Sequence, residues 1–403
     1  MMGVDKMRIQ KNVLWLSIVM TMTLMLSGAA AGAEAKTASG DDDSAPAALE
    51  RVPQLPPGGW SPIFEMGENL FPSYLIATAN MKDDEDGDDQ ENDDPFRMGD
   101  SWGTVGVAIR APVDNCQVKI RISGTDLIKT SVFTVTLPQN DCVYRIFPPL
   151  KYNDAGLASH RATTVEKLTF KVTINGKTGP EIVKSLEIRP VTECVYAYTD
   201  CMGVPHDQPW MLAAYVDENQ PLADAIIQDA LKSGRIDCLA GYQKDDIGVL
   251  AEVEAIWETM AHRGYRFDAI PKGFPEDTDF GRLELPLPGG KQDLTKSNGS
   301  VGCLLLAAAM RKAGLDVSLV LMPEHMMVAV DLDEFGDETV YLDVGMMGQY
   351  TFPEAVKEGQ SRFDDNTAHF ESDRRDDWNY QLINLAEARQ QGVNPLPNPA
   401  PAK

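Results

Sequence analysis

The stretch NGSVGCLLLAAAMRKAGLDVSLVLMPEHMMVAVDLDEFGDETVYLDVGMMG, residues 298–348, decides how this chain is read. Near its start Cys303, Leu304, Leu305, Leu306, Ala307, Ala308 and Ala309 follow one another. A helix that is apolar on every side belongs inside a core. Such a helix is expected over residues 300–313, with Gly314 ending it. Residues 317–321, 325–331 and 339–342 then read as strands rich in β-branched side chains. The last two are joined around Glu334, Phe335, Gly336 and Asp337, which makes them a hairpin. His325 lies eight residues before Asp333 and Asp343 seven after Gly336, so both fall at one end of that hairpin. Facing side chains on adjacent strands are ~5 Å apart, within hydrogen-bond reach for these two groups.

That pairing has a chemical meaning. An aspartate beside a histidine holds the imidazole in one tautomer and stabilises its protonated form. A thiol at the N-terminus of the packed helix would complete a Cys-His-Asp system. The helix dipole and a nearby imidazolium both lower a thiol pKa, and the thiolate is the nucleophile. Cys303, His325 and Asp343 are therefore the candidate catalytic residues.

The order of helix, Pro-x-His strand and Leu-Asp strand resembles the transglutaminase-like superfamily, with its papain-type core. The residues that carry the resemblance run from Ala307 to Leu315, from Pro323 to Met327, and from Tyr341 to Asp343. Upstream, the run from Ala213 to Glu218, Gly241-Tyr242-Gln243 and Ala255-Ile256-Trp257 resemble a bacterial exported branch of that superfamily. The similarity extends from near Cys194 to about Phe352. It implies an acyl-transfer or cysteine-peptidase ancestry, with a protein or peptide as partner. It also implies a nucleophilic cysteine opening the helix. Counting back fifteen residues from Gly314 lands on Gly299, not on a cysteine. Cys303 lies four residues later, ~6 Å further along a helix. A helix starting late, with Ser300 as its cap, would bring Cys303 into the first turn. The flanking leucines and alanines instead suit a small buried hydrophobe. The leading expectation is a domain that has lost its thiol chemistry and serves binding or structure. The alternative is an active thiol enzyme.

Upstream of this core, residues 222–232 and 249–263 show helical spacing, ended by Gly234 and Gly264. Before them the period changes to two. Residues 75–78, 104–109, 118–122, 131–137, 143–147, 167–174 and 183–188 read as short strands separated by turns such as Asn175-Gly176. Seven such strands predict a β-sandwich, read as a support or binding module, with an adhesion or scaffold role as a further alternative. The expected fold class is α+β: an N-terminal β-sandwich over residues 60–192, then a transglutaminase-like, papain-type α+β domain over 193–385.

The ends and the charge complete the reading. Lys6, Arg8 and Lys11 precede an uncharged run at 13–26 and the small residues Ala31-Gly32-Ala33, the pattern of a secretory leader over 1–33. That run of fourteen residues is shorter than the ~20 of a spanning helix. A periplasmic or extracellular destination is expected, with no membrane partner beyond the leader. Residues 34–59 read as a disordered linker, and 386–403 as a proline-rich tail that is disordered from Gly392 on. The net charge of −25 excludes nucleic acid, whose phosphates demand Lys and Arg. Nine acidic and no basic residues fill 83–94, a solvated acid loop in which Lys82 spoils the first ligand position of a calcium loop. His160, His206, His262 and His369 show no metal-ligand spacing, and neither metal nor cofactor is expected. The methionines of the late strands read as core filler. Six cysteines in an exported chain make disulfides plausible, with Cys116 and Cys142 in neighbouring strands and Cys194 and Cys201 closing a short loop.

Overall fold

The computed structural model describes residues 54–81, 94–243, 245–268, 280–285, 294, 297–372 and 380–397. The expected leader, the acid loop at 83–93 with its candidate calcium ligands, and residues 398–403 lie outside them. Helix and strand contents are nearly equal, at 32% and 33%, and strands dominate the first part of the chain while helices cluster later. That segregation is the mark of the α+β class.

Two larger sheets make up most of the first part. One has the order β1 (Trp60–Phe64), β3 (Val105–Arg110), β6 (Val143–Phe147) and β2 (Arg97–Gly99). The other runs from the short strand Asn69–Leu70 through β8 (Ile182–Ile188), β7 (Thr164–Ile174) and β4 (Cys116–Ser123) to β5 (Ser131–Leu137). In β4 the side chains alternate. Cys116, Val118, Ile120 and Ile122 are buried, while Gln117, Lys119 and Arg121 face water. The buried row meets Val107, Ile109 and Ile146 of the other sheet in one cluster with Leu168, Phe170 and Val172. Residues 75–78, expected as a strand, belong instead to the helix α1 (Pro72–Thr78). Pro72 presets the first helical turn, and Tyr74, Ala77 and Thr78 bury one face of it.

A charged knot ties these sheets to the second part of the chain. Buried Glu65 pairs with Arg97 and lies 3.6 Å from Arg145, which also reaches Asp94 at 2.6 Å. Arg145 lies 3.8 Å from Asp200, at the end of β9 (Glu193–Thr199). β9 stands between Pro205–Asp207 and β10 (Phe280–Glu284) in a three-stranded sheet.

The second part is built round one helix, α4 (Gly299–Lys312). It packs against α2 (Pro221–Lys232), α3 (Asp246–His262) and a four-stranded antiparallel sheet. The sheet order is β13 (Thr339–Leu342), β12 (His325–Asp331), β11 (Val317–Met322), β14 (Gln381–Asn384). Leu319, Leu321, Met326, Val328, Val330 and Leu342 join the α4 core. Val320, Met322, Met327 and Ala329 turn to the opposite face. There Tyr341 and two phenylalanines of α5 (Phe352–Phe370), Phe363 and Phe370, cover them.

The chain's end differs from its expected disorder. Val393 and Leu396 are buried in the main core, and Leu396 donates its N–H to Ala214 O at 2.7 Å. Two apolar anchors therefore hold the proline-rich segment down as far as residue 397. The linker is likewise anchored near its end, where Leu55 is buried. No disulfide joins any of the six cysteines in this structure.

Candidate functional site

The helix that carries Cys303 starts where its cap dictates. Asn298 is the N-cap, and its side-chain oxygen accepts the N–H of Val301 at 3.0 Å. The late start that would make Ser300 the cap does not occur. Gly299 is the first helical residue, and Cys303 comes five residues after the cap, past the first turn. It has left the region where the helix N-terminus acts most strongly on a thiol. Ser300, between them, has a buried hydroxyl with no hydrogen-bond partner. Gly302 is confined as well: a Cβ there would stand 2.6 Å from the ring of Phe267 and 2.7 Å from Val344.

Cys303 is fully buried. Its Sγ donates to the main-chain carbonyl of Met326 at 3.2 Å. Burial pushes the thiol pKa well up, and the Asp343 carboxylate raises it further. Both effects keep the sulfur protonated.

His325 and Asp343 do come together. His325 opens β12, Asp343 follows β13, and Nε2 lies 3.2 Å from Oδ2. The ring nitrogen is nevertheless not aligned for a hydrogen bond, and it is a buried atom without one. The contact is therefore an ion pair when the imidazole is protonated, rather than a directed bond. Asp343 has better-placed partners. Arg362, on α5, brings Nε to 2.9 Å from the same oxygen, and the Gly345 N–H donates to Oδ1 at 2.9 Å. Burial raises the Asp343 pKa, but His325, Arg362 and the Gly345 amide together outweigh it and hold the carboxyl below its ordinary value.

Strand alternation sorts these groups. Met326, Val328 and Val330 face α4, whereas Met327 and Ala329 face α5. His325 shares the parity of Met327, and its aspartate is held by an arginine of α5. Cys303 instead bonds to the backbone of the strand from the α4 side. Among the described residues no hydrogen bond joins Cys303 to His325.

Arg362 is the partner that sequence reasoning missed. The signal for its helix was present: Thr351 and Glu354 form a reciprocal capping box, with Pro353 in the first turn. No group of three or more metal-ligating side chains occurs among the described residues, and no described helix is long and apolar enough to cross a membrane. The chain matches no family model, no curated protein and no solved structure.

Proposed function

We propose that this is an exported protein whose second domain is a transglutaminase-like fold without its thiol chemistry, retained for binding or structure. One observation carries the reading: the only thiol near His325 in sequence order is fully buried and spends its hydrogen bond on a main-chain carbonyl. An activated nucleophile needs the reverse, a partly exposed sulfur with a base within reach. Gly299 occupies the first helical position, where the resemblance calls for a cysteine. Asp343 is committed to Arg362 and Gly345, so it serves to hold α5 and the turn after β13 against the sheet.

The active-enzyme reading, with Cys303 as nucleophile, His325 as base and Asp343 as its orienter, draws on the 3.2 Å His325–Asp343 contact. It would require acyl transfer at a sulfur that no substrate can approach without opening the core. The first part, with its two sheets, fits a sandwich-type support module. The deciding experiment is chemical modification of Cys303 in the native chain, with and without His325. Fast labelling near neutral pH that depends on His325 would restore the enzyme.

A further inference from the structure

The strand β5 closes one edge of the second sheet. Among the described residues its only strand partner is β4, and no other backbone hydrogen bond starts or ends at residues 132–136. In an antiparallel pair alternate residues turn their N–H and C=O away from the partner. This edge therefore offers free donors and acceptors to a further strand. Natural edges are guarded by charge, proline or a bulge on the strand itself. β5, Ser-Val-Phe-Thr-Val-Thr-Leu, has none of these, and its ladder with β4 is unbroken from Ser131 to Leu137.

The charge lies around the strand instead. Lys119 and Arg121 stand on the solvent face of β4, opposite Thr134 and Val132. Lys129 and Lys151 face each other directly beside the start of β5, where Ser131 Oγ accepts the Lys151 N–H at 3.2 Å. None of these four cations makes an ion pair among the described residues. Like charges placed opposite one another repel. Four unpaired cations at one edge stand out against a net charge of −25.

We infer that the β5 edge is a strand-addition site for an extended acidic segment of a partner protein. Main-chain bonds along the edge would supply affinity. Alternate carboxylates would meet Arg121 and Lys119 on the sheet face and the lysine pair at the end. Val132, 51% exposed, with Thr134 and Thr136 gives a flat β-branched surface beside them. A second copy of this chain is the poorer occupant, because β4 and β5 carry no carboxylate and a two-fold contact through β5 would offer these cations no counter-charge. This site is separate from Cys303 and His325, and its failure leaves the reading of the second domain untouched.

The test uses the full chain and a fluorescent extended peptide in which Glu alternates with Val or Thr, followed by anisotropy. A second peptide carries Lys in place of Glu. Saturable binding of the Glu peptide alone is expected at low salt. It should weaken about tenfold in Arg121→Glu and on raising the salt, as rim charges require. Circular dichroism checks that this surface variant stays folded, and Thr134→Pro, which disrupts the edge, should abolish binding. Absence of saturable binding, equal binding of both peptides, or a dimer through β5 that excludes the peptide each overturns the proposal.

Discussion

The thiol of Cys303 gives its hydrogen bond to the main-chain oxygen of Met326, 3.2 Å away, and not to the imidazole of His325 one residue earlier on the same strand. That single residue decides the face of the sheet. Met326 turns its side chain toward α4, while His325 shares its parity with Met327 and the α5 side. Cys303 and His325 are thus divided between two faces of one sheet.

Burial of Cys303 makes its contribution to stability depend on alkaline pH. The folded thiol has a raised pKa, whereas the unfolded one ionises near ~8.5. Its contribution is present in full below that value. As pH rises above it the unfolded state binds fewer protons, and stability falls. Urea unfolding between neutral pH and pH ~10 should show a downward slope that is shallower in Cys303→Ala. Identical slopes would mean that Cys303 ionises in place. The comparison between variants removes the effect of Cys194, which is also buried and raised.

Asp343 should matter more than the arginine that holds it. Asp343→Ala removes the acceptor for the Gly345 N–H and leaves Arg362 and His325 without their anion. A loss of about 1–3 kcal/mol is expected. Arg362 is 43% exposed, so Arg362→Ala should cost only about 0.2–1 kcal/mol. Chemical denaturation of both variants checks the ranking, and a larger loss in the arginine variant would contradict it.

The same carboxylate predicts an acid limb. Its folded pKa is lowered, so its contribution is present above the ordinary carboxylate value of ~3.9. That contribution is lost as pH falls through the lowered folded value. The stability difference between wild type and Asp343→Asn should therefore shrink as pH falls below ~4. A difference that persists unchanged there would assign the effect to packing.

The start of α4 is closed to added volume. In Gly302→Ala the new methyl would press on Phe267 and on Val344, both side chains of the core. Overpacking of this kind costs about 1–3 kcal/mol. Thermal unfolding of Gly302→Ala checks it. A neutral result would show that the α4 N-terminus is looser than its contacts indicate.

Much of this was legible in the sequence, for identifiable reasons. The all-round apolar run of α4 admits only a buried helix, and with Asn298 as cap it starts at Gly299, one residue before the expected start. The hairpin arithmetic brought His325 and Asp343 to one end, and they meet at 3.2 Å. The face of each was not legible. Met326 and Met327 are both apolar and both faces of the sheet are covered, so alternation cannot tell which one meets α4. α5 escaped because only Phe352, Ala355 and Gly359 are buried along it, too few for a helical stripe. Residues 75–78 misled because β-branched character stood in for Pro72, the residue that starts the helix. Arg362 could not be foreseen, since its partner lies across a contact that only the folded chain makes.

The alkylation rate of Cys303 in the native chain, followed by mass spectrometry against pH, tests the proposed loss of thiol chemistry most directly. Cys238, which is exposed, serves as the internal standard. Cys303 should stay unlabelled near neutral pH while Cys238 reacts, in wild type and His325→Ala alike, and should label only on unfolding. Rapid labelling of Cys303 near neutral pH, slowed when His325 is removed, would contradict the account and make the domain a thiol enzyme.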